Sequence, residues 1–297
     1  MSQDRFIQYT FASGVLRGPR KVTVYLPPSY HSRRTQRYPV LYLHDGQNVF
    51  STAGRHCCFG WGSWELDRTA DQLVAEHRMR EVLLVAVENS RFRYQEYRGP
   101  AYRYSEAELQ ALKNRPSGAN DDSRYAAYGE FLLNELKPWV DREFRTLTGP
   151  RHTGLMGSSL GGICSLALAW EHPDVFGLAA SLSGAFQVER TNFLSRILRP
   201  YTGAPKTIRV YLDSGTVDFS GGDDGRRLTA RVADELRRIG WGADLLHFVD
   251  DKPLDDEALA RAGLDPGKWT EARTSQHNEF YWRLRAWRPL TFLFPPE

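Results

Sequence analysis

The chain has 297 residues with a net charge of +3, 41% of them hydrophobic and 25% charged, and its basic residues are scattered. That balance suits a globular core and argues against a disordered chain or a nucleic-acid surface, and no apolar run approaches the roughly 18 residues of a membrane span. The adjacent Cys57 and Cys58, with Cys164 alone, form neither a disulfide framework nor a zinc spacing, and the first residues lack a signal-peptide pattern, so a cytoplasmic protein without metal or cofactor is expected.

Phe6 to Phe11 and Arg20 to Leu26 read as two strands, the second rich in β-branched and aromatic residues and stopped by Pro27-Pro28. Tyr38 to Leu43 is an almost unbroken apolar run, as expected of a strand buried on both faces. It feeds the polar loop His44-Asp45-Gly46-Gln47-Asn48, placed where a parallel sheet carries its functional groups. Trp64 to His77 has helical spacing through Leu66, Ala70, Leu73 and Val74, and Val82 to Val87 is another buried strand. From Glu88 to Arg124 regularity breaks down; only Ser105 to Asn114 looks helical, and so long a connection suits a pocket wall or a surface excursion.

Ser123 to Phe144 returns to a helix. Strands follow at Arg151 to Met156, Gly177 to Leu182, Ile208 to Asp213 and Asp244 to Val249, with helices over Ile163 to Trp170 and Arg226 to Gly240. Residues 250–276 are acidic and polar, with room for one short helix, and His277 opens a closing helix. Strands alternating with helices predict an α/β fold, a mostly parallel central sheet covered on both faces. No repeat or linker divides the chain, so one domain over 1–297 is expected, with pocket-shaping insertions at about 89–124 and 250–276.

The stretch Gly157-Ser158-Ser159-Leu160-Gly161-Gly162 has G-x-S-x-G spacing between a strand and a helix. In that context the turn exposes the central hydroxyl, making Ser159 the candidate nucleophile. A serine needs a base, and the base an acid behind it. With both following the serine, His172, His247 and His277 remain; His172 reads as a helix cap, His247 as sheet packing, and His277 as the base. The acid is open among Asp213, which sits in the strand, Asp218 in the turn after it, and Asp223 and Asp224 in a Gly-rich, solvated-looking stretch; Asp218 is favoured. The oxyanion would take the amide of Leu160 and a second from the His44–Asn48 loop, with Gln47 the best placed. His44 and Asp45 read as loop-shaping residues rather than metal ligands.

Together these motifs resemble the putative-esterase family of α/β-hydrolases, which includes enterochelin esterases, feruloyl and acetyl-xylan esterases, S-formylglutathione hydrolase and the mycolyltransferases. The resemblance rests on Leu43-His44-Asp45-Gly46-Gln47-Asn48-Val49-Phe50, on Trp64 and Asp67, on the Ser159 motif, on His172-Pro173-Asp174-Val175-Phe176, on Gly215-Thr216-Val217-Asp218, and on His277 with Trp282. It implies an α/β-hydrolase fold and a serine carboxylic-ester hydrolase working through an acyl-enzyme. It also implies a triad of Ser159, Asp218 and His277, with Gln47 and Leu160 as oxyanion donors, and raises Asp218 above Asp213. Acyl transfer to an alcohol or sugar, or a binding module on a hydrolase fold, are the competing readings. Trp61, Trp64, Tyr94 and Tyr97 are candidate substrate contacts, since aromatic faces stack on an aryl acyl group or a sugar. The partner expected is a small-molecule ester, without nucleic acid or membrane.

Overall fold

A computed structural model describes residues 5–54, 56–114, 116, 118–218, 221–250, 256–261 and 276–296. Its frame is an eight-stranded sheet in the order β1-β2-β4-β3-β5-β6-β7-β8. These strands are β1 (Phe6–Phe11), β2 (Arg20–Tyr25), β3 (Val40–Leu43), β4 (Leu83–Val87), β5 (Thr153–Ser158), β6 (Leu178–Leu182), β7 (Arg209–Asp213) and β8 (Leu246–Val249). The β1–β2 and β2–β4 pairs are antiparallel and all others parallel.

The apolar runs of β3 and β4 are explained by burial on both sides. Val40, Tyr42, Leu83, Val85 and Val87 enter one core, and Leu41, Leu43, Leu84 and Ala86 the other, as the two-residue period of a strand requires. Helices cover both faces: α1 (Leu66–Ala75), α2 (Arg93–Tyr97), α3 (Glu106–Ala111), α4 (Ser123–Glu130), α5 (Lys137–Glu143), α6 (Leu160–Glu171), α7 (Arg226–Ile239), α8 (Asp256–Arg261), α9 (Glu279–Arg285) and α10 (Trp287–Leu293). Against the first core lie α4 to α7, with Tyr128, Val140, Leu166, Val232 and Leu236 buried; against the second lie α1 and α10, with Leu66, Leu73, Leu290 and Leu293. Among the described residues no helix is long and apolar enough to cross a membrane.

Three local differences from the sequence expectations have physical causes. The single helix expected over Ser123 to Phe144 contains a π-helical stretch, Phe131–Leu136, where the Lys137 amide reaches back to the Leu132 carbonyl. Pro138 follows directly and has no N–H for the α ladder. In the irregular stretch before it, Arg93–Tyr97 forms a short helix that composition did not suggest, while the later helix is confined to Glu106–Ala111 by a Ser105–Glu108 capping box. Beyond β6, residues Glu189, Arg190 and Thr191 hold three successive left-handed conformations, φ 51°, 55° and 58°, and a π-helical stretch, Phe193–Leu198, follows them. The expected insertion at 250–276 lies outside the described residues apart from 250, α8 and Gln276.

Candidate active site

At the carboxyl end of β5 the chain turns sharply into α6. Ser159 occupies that turn at φ 54°, ψ −121°, a region an L residue holds only under constraint. The constraint is a set of backbone bonds: Ser159 N–H donates to Leu182 O (3.0 Å), and its carbonyl accepts from Gly162 (3.1 Å) and Ala185 (2.9 Å). A Cβ on Gly157 would stand 2.6 Å from the carbonyl carbon of Gly161, so strand and helix cross too closely there for any side chain. Leu160 is the first residue of α6, where an amide has no helical acceptor and points outward from the helix start.

The neighbouring strand supplies the facing loop. Register pairs Leu43 with Met156, so the segment after β3 emerges beside the elbow, and a Cβ on Gly161 would lie 3.0 Å from His44 Cβ. Gly46 to Asn48 form one 3₁₀ turn whose bonds use the amides of Asn48 and Val49, leaving that of Gln47 ahead of them. Gly46 is obligatory: a Cβ there would lie 2.6 Å from the backbone of Ala86 and Val87 in β4. His44 and Asp45 diverge. His44 is buried, with Nδ1 2.8 Å from Tyr128 Oη and its ring packed on Tyr97; burial lowers its pKa to about 4. Asp45, at φ 56°, binds Arg93 through both oxygens (Nε 2.6 Å, Nη2 2.7 Å) and accepts from Asn89 Nδ2 (2.5 Å).

The imidazole of His277 pairs with Asp224, not with Asp218. Nδ1 donates to Asp224 Oδ1 at 2.5 Å, and Oδ2 of the same carboxylate accepts from Ser183 Oγ (2.6 Å) and the Gly215 amide (2.5 Å). Asp224, expected to be solvated, has a fully buried side chain. Asp218 and Gly222 are joined at the surface: Asp218 Oδ1 accepts from Gly222 N (2.8 Å), and Asp218 N donates to Gly222 O (2.8 Å). Asp223 stays exposed ahead of α7, its carboxylate accepting from the Arg226 amide (2.8 Å), while its neighbour Asp224 is buried. That division of labour between two adjacent aspartates before a helix was the available signal, and sequence reasoning missed it.

Ser183 ties the pair to the elbow. It leaves β6 directly, two residues before Ala185, whose amide bonds the Ser159 carbonyl. Its hydroxyl also accepts from Trp282 Nε1 (3.1 Å) and Arg285 Nη2 (2.9 Å), and the edge of His277 rests on Trp282 at 4.9 Å. Asp213 ends β7 within the ladder, facing Arg285 at 3.3 Å and the Tyr211 hydroxyl at 2.9 Å. His247 lies on the edge strand, stacked on Tyr211.

Of the four aromatic candidates, Trp61 and Tyr94 are exposed, at 47% and 39%, whereas Trp64 and Tyr97 are 4% and 0% exposed. Trp64 packs on Trp282, and Tyr97 lies between His44 and Tyr128, so neither presents a face to a ligand. They are core, drawn in by the helices that carry the neighbouring loops. Tyr94 instead joins a wall: with Arg98 Nη1 (2.9 Å) and the Tyr102 amide (2.9 Å), its hydroxyl (2.9 Å) binds the Glu189 carboxylate. This fastens the stretch from Arg93 to Tyr102 to the left-handed turn beyond β6.

The "Putative esterase" family model matches residues 13–239. The uncharacterized protein YbbA of Bacillus subtilis is 26% identical over 246 residues, covering 77% of this chain and 82% of that protein. An endo-1,4-beta-xylanase/feruloyl esterase of Xylanibacter ruminicola is 25% identical over 60% of this chain but only 21% of its own length. Among solved structures, a ferulic acid esterase superposes with TM-score 0.65 at 18% identity, covering 97% of each chain. The enterochelin esterase of Shigella flexneri gives 0.65 at 16% identity over 99% of this chain and 59% of that one. The chain therefore belongs to the "Putative esterase" family and is an esterase built on the α/β-hydrolase fold.

Proposed function

We propose that this esterase cleaves carboxylic esters through an acyl-enzyme formed on Ser159, with His277 as base and Asp224 as the acid behind it. The observation that carries the proposal is the His277–Asp224 bond, fastened through Ser183 to the segment that also holds the strained Ser159. Asp224 holds Nδ1 protonated, so that Nε2 keeps the lone pair needed to take the serine proton. The Leu160 and Gln47 amides would then receive the oxyanion, a role in which one donor is worth about 2.7–4 kcal/mol. Their positions, one at a helix start and the other in a 3₁₀ turn whose bonds use only the following amides, support that role.

The substrate proposed is a small ester with an aryl acyl group, consistent with a cytoplasmic address. Exposed Trp61 and Tyr94 provide faces for it, and relatives named as feruloyl and ferulic acid esterases support the same class. Pre-steady-state release from a nitrophenyl acyl ester tests the mechanism. A burst matching the enzyme concentration is expected, abolished by Ser159→Ala and by His277→Ala; full activity in Ser159→Ala would show the mechanism to be wrong.

A further inference from the structure

We propose that Arg93 is a positioning residue for the oxyanion site, holding the Gln47 amide in place and cancelling the charge of Asp45 beside it. The proposal rests on the ester-hydrolase reading above. Gln47 takes its direction from the two residues before it. Gly46 lies flush on β4, and Asp45 holds a left-handed conformation, φ 56°, which among residues with a side chain is visited chiefly by Asp and Asn. Its carboxylate is fixed from outside the loop: the guanidinium fork of Arg93 grips both oxygens in the planar, two-bond geometry that a point charge cannot reproduce. The same segment reaches Gln47 directly, since the Asn89 amide donates to Gln47 Oε1 at 3.1 Å while the Asn89 side chain bonds Asp45. On the far side, Asn48 Nδ2 donates to Glu279 Oε1 at 3.0 Å, two residues from His277. The loop is thereby fixed on both flanks, by α2 and by α9.

Charge gives Arg93 its second task. Asp45 Oδ2 lies 3.5 Å from where a Cβ on Gly161 would stand, in the first turn of α6. A bare carboxylate there would oppose the negative charge that develops on the substrate oxygen, whereas paired with Arg93 it is neutralised. A purely structural ion pair would protect folding alone. Arg93 in this role acts on the transition state.

The test uses nitrophenyl acyl esters with active sites counted by the burst. Arg93→Met is expected to lower kcat about 100-fold, the scale of one lost oxyanion donor, with KM within about threefold of wild type. Adding Asp45→Asn to that variant removes the uncompensated charge and is expected to recover about tenfold, which repair of a folding defect would not do. Arg93→Lys, keeping the charge and losing the fork, should fall between wild type and Arg93→Met, and it carries the test if Arg93→Met fails to fold. A burst that survives Ser159→Ala sinks the hydrolase reading itself. A Ser159-dependent burst with Arg93→Met or Arg93→Lys turning over like wild type, or no recovery on adding Asp45→Asn, overturns the role of Arg93 alone.

Discussion

Exchanging Asp224 for asparagine probes the proposed acid, and the bonds around that carboxylate set the size of the effect. Oδ1 faces His277 Nδ1, while Oδ2 takes two donors, the Ser183 hydroxyl and the Gly215 amide. A backbone amide can only donate, so an asparagine there keeps its oxygen toward Gly215 and turns its NH₂ toward the imidazole. Two N–H groups would then oppose each other unless the imidazole moves its proton to Nε2. Protonated there, it has no lone pair for the Ser159 hydroxyl. A triad held in that tautomer loses about 10⁴ in kcat, or roughly 5.4 kcal/mol of transition-state stabilisation. Asp218→Asn should leave turnover unchanged, because an amide oxygen still accepts from Gly222. Steady-state kinetics on an aryl ester, with urea unfolding to verify the fold, measures both. The reasoning fails if Asp224→Asn turns over within about tenfold of wild type, or if Asp218→Asn falls as far.

Three further outcomes follow from burial. The folded-state pKa of His44, about 4 against an ordinary 6.5, means the unfolded chain binds the extra proton first. Stability from this group is therefore complete above pH 6.5 and lost as pH falls toward 4, about 3 kcal/mol in all; His44→Gln should flatten that part of the urea-derived profile, and parallel profiles would refute it. Glu189→Ala strands a buried Arg98 and should cost about 3–5 kcal/mol, while Arg98→Met with Glu189→Leu costs less than either single change; a loss below about 1 kcal/mol for Glu189→Ala would contradict the pairing. Tyr97→Ala should cost about 3–5 kcal/mol, whereas Trp61→Ala stays within about 0.5 kcal/mol and raises KM for aryl esters; equal KM values for aryl and alkyl esters before and after would remove Trp61 from the pocket.

Much of this arrangement was legible because the constraints on it are local. Apolar runs such as Val40 to Leu43 announce a strand buried on both faces, and the glycines around Ser159 announce a crossing without room for side chains. The expected strands all lie in the sheet, with ends moved by a few residues at most. Chain order narrowed the base to His172, His247 and His277, and their places in helix, strand and loop favoured His277. Asp224 could not, since its burial depends on Ser183 and Gly215, residues far apart in the chain that meet only when β6 and β7 stand side by side. A Gly-rich stretch with two aspartates looks solvated, and Gly221, Gly222 and Asp223 are exposed; only Asp224 beyond them turns inside. The aromatics misled for a related reason: Trp64 and Tyr97 have the same composition signature as Trp61 and Tyr94, and only the packing of Trp282 and Tyr128 separates core from surface. The left-handed turn at Glu189 to Thr191 has no glycine to mark it, being stabilised by a carboxylate that reaches across to Tyr94, Arg98 and Tyr102.

The missing Cβ atoms at Gly46 and Gly157 also bear on how the molecule would fail. Each lets a reactive loop lie directly on sheet or helix backbone, with no side chain between them to act as a cushion. Such a contact cannot loosen by a rotamer change; it opens only if the backbone beneath it moves. On heating, the reactive end should therefore hold its shape until the sheet itself gives way, so that loss of turnover and loss of β-structure fall on a single curve.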